Sequence, residues 1–320
     1  MNHRFGRFFT RRDVVRFGAL AGAAGLIAPV FGAGSDKSAG DAITRAIPAT
    51  GEKLPVIGLG TNNYSPTTPE ERATRREVLE KMPSLGGTVV DTAPAYRQSE
   101  VVLGELMAEL ANREMFFLAT KVTAPQGDAK RGADMIAESF RRLRTDRFDL
   151  MQVHNLDGVD VLMPALLEGK KARKFRYIGI TTSNTDAHGR MAEYMRAHPL
   201  DFIQVDYSID NRAAAERVLP LAQERKFAVL VNMPLGGRRD GNLLRRLGDK
   251  PLPAWAADID ATSWAQVLLK YVVSHPAVTC AIPGTTRLTH LVDNQQAGRG
   301  RLPDAAMRKR MEEWWDANSA

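Results

Sequence analysis

The sequence predicts a single (β/α)8 barrel, the TIM-barrel class of α/β fold. Short apolar segments alternate with amphipathic helical segments eight times within about 270 residues, and a polar side chain stands at or near the end of most apolar segments. Most of the apolar segments lack a clean alternation of polar and apolar residues, which is typical of strands buried on both faces of a parallel sheet. The strand ends should therefore meet at one rim, where barrel sites lie.

The predicted elements follow one another in strict alternation. Eight strands are expected at residues 55–61, 88–92, 116–122, 148–154, 177–182, 202–207, 228–233 and 278–283. Helices are expected at 70–85, 99–112, 129–143, 160–171, 187–198, 213–223, 262–274 and 304–315. The third helix shows its period directly, because Ala133, Ile136 and Phe140 recur at three- and four-residue steps. Leu54 and Pro55 also allow a short hairpin before the first strand.

A doubly wound sheet is the competing architecture. It is weakened because the first strand lacks a phosphate-binding glycine loop. The segment Gly58-Leu59-Gly60-Thr61-Asn62-Asn63 starts like G-x-G-x-x-G but ends in asparagine.

Composition excludes several classes of function. The chain has 320 residues, of which 44% are hydrophobic and 25% are charged, as in ordinary globular proteins. Much of its net charge of +7 comes from arginines near the N-terminus, and no basic run with interleaved aromatic residues appears, so we expect no nucleic-acid binding. The single cysteine, Cys280, allows no internal disulfide and no cysteine metal cluster, and we expect no metal site.

The N-terminus has the pattern of a targeting segment. Thr10-Arg11-Arg12-Asp13-Val14-Val15-Arg16 precedes a run rich in glycine and alanine at residues 17–33, which is too weakly apolar for a membrane span. It resembles a twin-arginine (Tat) signal peptide. We therefore expect a signal peptide at 1–33, a linker at 34–50, a barrel at 51–320, the Tat machinery as a partner, and export to the periplasm. An amphipathic or uncleaved anchor is the alternative.

Four residues form a candidate catalytic site. Asp91, Lys121 and His154 lie at the ends of successive strands, so their side chains can converge, and Tyr96 follows in the loop after Asp91. A buried lysine needs an anion, which Asp91 can supply. An ammonium group close to a phenol favours the phenolate, which makes Tyr96 a candidate proton donor. Such an acid suits carbonyl reduction by hydride, with His154 orienting the substrate oxygen.

At these residues the chain resembles the aldo-keto reductases. The resemblance extends from Leu54 to Ala297 and is carried by the following segments: Ile57-Gly58-Leu59-Gly60-Thr61, Asp91-Thr92-Ala93 with Tyr96, Ala119-Thr120-Lys121-Val122, Asp149-Leu150-Met151-Gln152-Val153-His154, Tyr177-Ile178-Gly179-Ile180 and Ile282-Pro283-Gly284-Thr285. It implies a (β/α)8 barrel that binds NADPH or NADP+ across the strand ends and reduces an aldehyde or ketone. It also implies Tyr96 as the acid, tuned by Asp91 and Lys121.

The resemblance implies a set of cofactor-binding residues around the rim. These are Gly60, Thr61, Asp91, Thr181, Thr182, Gln204, Asn232, Pro234, Leu235, Gly236, Arg238, Gly284, Thr285, Thr286, Arg287, His290, Asp293 and Asn294. Gln204 matches a residue that holds the nicotinamide amide. Arg287, with Thr285 and Thr286 at the start of a helix, can hold a 2′-phosphate, which favours NADPH over NADH.

Several positions depart from the family pattern. Arg97 follows the tyrosine where many members have glycine; it is either a solvated loop cation or a contact for an anionic substrate. Thr181-Thr182 occupies the register of a Ser-Asn pair, while Ser183-Asn184 lies two residues later, so either pair remains a candidate. Asn232 replaces a tyrosine that stacks on the nicotinamide in many members.

Two other functions remain open. The barrel could bind nucleotide with little or no turnover, since the periplasm has no obvious supply of NADPH. A barrel isomerase or hydrolase could use the same residues without a nucleotide. The sequence contains no G-x-S-x-G and no H-E-x-x-H, which argues against acyl transfer and zinc hydrolysis.

Overall fold

The computed structural model describes residues 40–237 and 241–318. The predicted signal peptide, the first part of the predicted linker (34–39) and Arg238 lie outside the described residues. Within the described part, no helix is both long and apolar enough to cross a bilayer.

Eight parallel strands form a barrel, as predicted. They are β3 (Leu59–Gly60), β4 (Val89–Asp91), β5 (Phe117–Val122), β6 (Phe148–Val153), β7 (Phe175–Thr181), β8 (Phe202–Asp206), β9 (Ala228–Asn232) and β10 (Cys280–Ala281). Each strand pairs with its neighbours in chain order from β3 to β10. The ring closes through parallel bridges from Ile57 to Ala281 and from Gly60 to Gly284. Because β5 and β6 are buried along their whole length, their sequences show no alternation.

A two-stranded hairpin closes the barrel at the end where the strands begin. β1 (Thr44–Ala46) pairs antiparallel with β2 (Lys53–Pro55). Ile47 and Leu54 are buried in the same apolar cluster as inward-facing strand residues such as Phe117 and Phe202. β1 lies inside the segment predicted as a linker, so the barrel begins before residue 51.

Ten α-helices occur in the described ranges. They are α1 (Pro69–Lys81), α2 (Ser99–Glu109), α3 (Ala129–Leu143), α4 (Val159–Lys171), α5 (His188–Ala197), α6 (Ala214–Arg225), α7 (Leu243–Leu247), α8 (Trp264–Val273), α9 (Leu288–Gln296) and α10 (Ala305–Asn318). The eight predicted helices are present, and α7 and α9 are additional to them. α9 is the helix whose start was expected near Arg287. α7 was not predicted, because five residues are too few to show a helical period; the Asn242 side chain caps its first turn.

The C-terminal helix α10 packs against the outer helices. Met311 and Trp315 are buried in the core between helices and strands. The Trp314 ring lies 4.9 Å from that of Trp264 on α8, centroid to centroid. On the neighbouring turn, Arg308 donates to the Ser274 hydroxyl at 2.7 Å.

Candidate active site

Asp91 and Lys121 form an ion pair inside the rim of the barrel. Asp91 is the last residue of β4, and Lys121 lies near the end of the adjacent β5. The Lys121 Nζ donates to Asp91 Oδ2 at 2.5 Å and to the Thr92 carbonyl oxygen at 2.8 Å. Both side chains are almost fully buried, with exposures of 2% for Asp91 and 1% for Lys121. The structure therefore provides the partner that a buried lysine requires.

The surroundings keep Lys121 charged. Burial alone would lower the pKa of Lys121, but the attraction of Asp91 and Tyr96 outweighs it and raises the pKa above its usual value. The ammonium group is therefore a fixed positive charge at the centre of the site.

Tyr96 brings its phenol to this charge. The Lys121 Nζ lies 3.3 Å from Tyr96 Oη and 4.9 Å from the centre of the tyrosine ring. The loop that carries Tyr96 is held by Ser65, whose hydroxyl donates to the Tyr96 carbonyl at 3.2 Å and accepts from the Gln98 amide at 3.0 Å. Arg97 is exposed and has a φ of +56°, a backbone conformation that residues other than glycine rarely adopt.

His154 stands on the other side of Tyr96. It directly follows β6, and its ring meets the Tyr96 ring edge to face at 5.9 Å and 87°. Burial and the charge of Lys121 lower the pKa of His154 to about 3. A neutral imidazole can donate one hydrogen bond without carrying a charge. The structure thus brings together all four residues that the sequence predicted for catalysis.

The second oxygen of Asp91 is held by two amides. Gln204 in β8 donates to Asp91 Oδ1 at 2.8 Å, and Gln152 in β6 donates to the same atom at 3.3 Å. The side-chain Oε1 of Gln204 accepts from the Thr181 hydroxyl at 2.9 Å. Donors therefore reach Asp91 from β5, β6 and β8, which fixes the orientation of its carboxylate.

The sequence does not predict the contacts of Gln152 and Thr92. Gln152 lies inside a strand that reads as apolar, which gives no indication of a role. Its position two residues before His154 is the signal that could have identified it, because residues two apart on a strand share a face. The Thr92 contact uses a backbone carbonyl, which no side-chain pattern reveals.

Thr61 and Thr92 support the base of the site through Ser99. The Thr61 hydroxyl donates to the Asp91 carbonyl at 2.8 Å. Ser99, the first residue of α2, donates to the Thr61 carbonyl at 2.8 Å and lies 3.1 Å from the Thr92 hydroxyl. These buried bonds connect β3, β4 and α2 behind the catalytic residues.

The rim at the ends of β7 and β9 carries polar side chains. Asn232 donates to the Thr182 carbonyl at 3.1 Å, while its own Oδ1 is buried without a partner in the described part of the chain. β7 ends at Thr181, and Thr182 directly follows it; both are buried, whereas Ser183 and Asn184 are exposed. Asn184 accepts from the Asp186 amide at 3.0 Å and so caps the following turn. The threonine pair therefore occupies the inner position at the rim.

The segment after β9 forms a tight loop. Pro234 and Leu235 lead into Gly236, whose φ is +77° and which pairs with Asn242. A side chain at Gly236 would meet the Gly241 carbonyl oxygen at 2.4 Å, so the turn requires glycine.

Gly284 is exposed on the rim between β3 and β10, where it bridges to Gly60. A Cβ atom there would meet no atom closer than 3.5 Å. Thr285 follows, and its hydroxyl accepts from the Arg287 amide at 3.3 Å just before α9. Thr286 is half-buried beside them, and His290 is exposed one turn into the helix.

Two predicted cofactor residues on α9 have different surroundings. Asp293 is already engaged, because it accepts from Ser263 at 2.8 Å and from Gln266 at 2.7 Å at the start of α8. Asn294 is 4% exposed. Asp293 therefore ties α9 to α8, a contact that the sequence did not predict.

In the described residues, no group of three or more His, Cys, Asp or Glu side chains could hold a metal ion. A closed parallel barrel whose rim combines a phenol with a charged lysine and a neutral histidine defines an acid–base site suited to an oxidoreductase.

The comparisons with known proteins identify the family. A sequence profile of the Aldo/keto reductase family matches residues 56–315. The chain therefore belongs to the aldo/keto reductase family, a family of oxidoreductases.

Relatives and solved structures agree with this membership. The chain is 29% identical over 250 residues to methylglyoxal reductase YeaE of Escherichia coli, which covers 75% of this chain and 84% of that one. It is 30% identical over 201 residues to aldo-keto reductase YhdN of Bacillus subtilis, and this match spans 58% of this chain and 60% of that relative's length.

Among solved structures, a Klebsiella pneumoniae aldo/keto reductase in complex with NADP and acetate superposes with a TM-score of 0.69 at 25% identity, over 83% of this chain and 93% of that one. The holo form of AKR11C1 from Bacillus halodurans superposes with a TM-score of 0.70 at 22% identity, over 85% and 96% of the two chains, and supports the fold.

Proposed function

We propose that this protein is an exported reductase that uses NADPH to convert an aldehyde or ketone to an alcohol, with Tyr96 as the general acid. The contact that carries the proposal is the 3.3 Å approach of the Lys121 ammonium group to Tyr96 Oη, with Asp91 at 2.5 Å on the other side of the same nitrogen. A charged lysine held against a phenol is an arrangement that stabilises a phenolate.

Tyr96 gives its proton to the substrate oxygen as negative charge develops there. When bound, NADPH would supply a hydride to the carbonyl carbon and would become NADP+. Lys121 stabilises the tyrosinate that remains, and a proton from solvent restores the phenol. The reaction thus consumes one carbonyl group, one NADPH and one proton, and yields one alcohol and one NADP+.

His154 orients the carbonyl group. Its low pKa keeps the imidazole neutral near pH 7, so it donates a hydrogen bond to the substrate oxygen without competing as an acid. The edge contact between the His154 and Tyr96 rings supports the proposal that both side chains donate to the same carbonyl oxygen.

The residues of the rim fit a dinucleotide. The buried Asn232 Oδ1 lacks a donor among the described residues, and the amide group of a nicotinamide could supply one. Gln204, which the resemblance assigns to the nicotinamide amide, is hydrogen-bonded to Thr181 at the neighbouring strand end. Gly284 is exposed on the rim. The Klebsiella pneumoniae relative whose fold this chain shares holds NADP.

Arg287 is the candidate contact for the 2′-phosphate. It is exposed and stands at the cap of the nine-residue helix α9, where backbone amides favour an anion. If this assignment is right, Arg287→Ala weakens NADPH binding roughly tenfold, as expected for one charge-assisted contact, and leaves NADH binding unchanged.

Export through the Tat pathway is the second part of the proposal. It rests on the Arg11-Arg12 pair and the weakly apolar run at residues 17–33. A folded barrel that carries its nucleotide suits a route for folded proteins. The test is a fusion of residues 1–50 to a reporter: the native sequence should direct it to the periplasm, and the R11K/R12K variant should leave it in the cytoplasm.

One experiment tests the reductase assignment. The protein without residues 1–39 is titrated with NADPH by fluorescence, and NADPH consumption is then followed with a panel of aldehydes and ketones. Saturable binding with turnover supports the proposal. Tight binding without turnover on any carbonyl would favour a nucleotide-binding barrel, and no binding would remove the cofactor assignment altogether.

A further inference from the structure

Gln152 is a buried glutamine in β6 that the mechanism above does not use. Its side chain is 0% exposed, and it lies opposite Lys121 in the register of β5 and β6. Its Nε2 approaches Asp91 Oδ1 at 3.3 Å. Its Oε1 is buried and has no hydrogen-bond partner among the described residues.

The charge of Asp91 fixes the orientation of this amide. Turning it over would place the Gln152 carbonyl oxygen against the carboxylate, where both atoms are acceptors. In the observed orientation Oε1 has no donor among the described residues. A buried acceptor without a donor lowers the stability of the fold, whereas an apolar side chain of the same size would carry no such penalty. Fold stability therefore does not explain a glutamine at this position, whereas a requirement of Asp91 does.

The hydrogen bond from Gln204 cannot by itself hold the Asp91 carboxylate in place throughout the proposed reaction. It donates to the same Oδ1 at 2.8 Å, but its amide is also the group proposed to hold the nicotinamide. A donor that serves the cofactor cannot be dedicated to Asp91. Asp91 is the only side-chain partner of Gln152 in the part of the chain that the structure describes.

We propose that Gln152 is a positioning residue that holds the Asp91 carboxylate so that its Oδ2 stays on Lys121. Through Lys121, this alignment supports proton donation by Tyr96 during the proposed reduction, on which the inference rests. The 3.3 Å separation from Asp91 leaves room for this bond to shorten when Gln204 turns to the cofactor.

The test compares Gln152→Met with Gln295→Met. Gln295 is a second buried glutamine, 4% exposed, whose Nε2 reaches the Ile57 carbonyl at 3.4 Å, away from the site. Each variant is measured for kcat at saturating NADPH, for NADPH affinity by fluorescence, and for thermal unfolding. The Lys121 ammonium signal is followed by ¹H–¹⁵N NMR and identified by its loss in Lys121→Met.

For Gln152→Met, we expect kcat to fall roughly tenfold, as for a lost hydrogen bond to a charged group, with NADPH affinity and melting temperature maintained and the Lys121 signal shifted. Gln295→Met should leave kcat and the Lys121 signal unchanged. An unaltered Lys121 signal in Gln152→Met would overturn the inference, as would a kcat loss that parallels lost stability.

The NMR comparison also separates this inference from the proposed function. If the wild-type protein reduces no carbonyl, the reductase assignment fails, yet the Lys121 signal still decides whether Gln152 aligns the ion pair. A shifted signal would support the positioning role in that case, and an unshifted one would overturn it.

Discussion

The ring of His154 meets the ring of Tyr96 edge to face, with centroids 5.9 Å apart and planes at 87°. Both residues lie just beyond strand ends, one in the loop after β4 and the other directly after β6. Lys121 lies on the strand between them and touches the tyrosine from below the rim. The three side chains thus lie together at the mouth of the barrel.

Replacing Tyr96 by phenylalanine tests the proton donor. We expect Tyr96→Phe to reduce kcat by roughly 10²- to 10⁴-fold, the usual contribution of a general acid, while NADPH affinity changes little. Steady-state kinetics and a fluorescence titration measure the two effects.

Tyr64→Phe is the matched control. Tyr64 is fully buried, and its hydroxyl has no partner in the described part of the chain. Loss of that hydroxyl should leave kcat intact and hold or raise the melting temperature. Near-full activity in Tyr96→Phe would show that another group is the acid.

Removing only one partner of the buried Asp91–Lys121 ion pair should lower the stability of the fold strongly. Lys121→Met leaves a buried carboxylate without its counter-ion, so we expect the free energy of unfolding to fall by about 3–5 kcal/mol. The double variant Asp91→Asn/Lys121→Met should lose less than the sum of the single changes, because neither charge remains. Chemical denaturation measures these differences.

The exposed pair of Lys130 and Asp134 is the control for that cycle. Its atoms lie 2.7 Å apart, but both side chains are largely exposed. Removing Lys130 should leave the free energy of unfolding almost unchanged, because water screens the pair. Equal losses of unfolding free energy in the Lys121 and Lys130 variants would contradict the expectation that the buried pair contributes more to stability than the exposed pair.

His154 should stay neutral throughout the working range of the protein. Its pKa is about 3 in the folded protein and near 6.5 in an unfolded chain. Below about pH 6.5 the unfolded chain therefore binds more protons, so stability is present above that pH and is lost as the pH falls towards about 3.

Two measurements check this. In NMR, the His154 signals should not titrate between about pH 5 and 8. Between about pH 7 and 5, the wild-type protein should lose more stability than His154→Phe, which lacks the titrating group. His275, whose pKa is also lowered by burial, to about 4, remains in both proteins and cancels in the comparison. A His154 midpoint near pH 6.5 would contradict the buried, neutral assignment.

Most of the fold could be predicted because local pattern and global topology agree. The apolar strands had to be buried on both faces, and eight of them in alternation with helices leave few architectures. Elements that depend on contacts between distant parts of the sequence were harder to predict. β1 is only three residues long and becomes a strand through its pairing with β2, and the closing bridge from Gly60 to Gly284 joins segments more than 200 residues apart in the sequence.

The candidate site also contains residues that the sequence predicts and residues that it does not. Asp91, Lys121 and His154 could be placed together because neighbouring strands bring their ends to one rim. Gln152 could not be assigned, because a polar residue inside a buried strand gives no direction until its partner is known. The engagement of Asp293 by Ser263 and Gln266 depends on how α8 meets α9, which no local pattern encodes.

The hairpin that closes the barrel sets a limit on processing of the chain. Ile43 donates its amide to the Gly298 carbonyl at 2.8 Å, and Ile47 is wholly buried in the barrel interior. A protein that begins at residue 49, and so lacks β1 and Ile47, should therefore melt at a far lower temperature than one that begins at residue 40. Cleavage at or after Ile43 would remove residues that close the barrel, so the proposed signal peptide can be removed without loss of the hairpin only by a cut before Ile43.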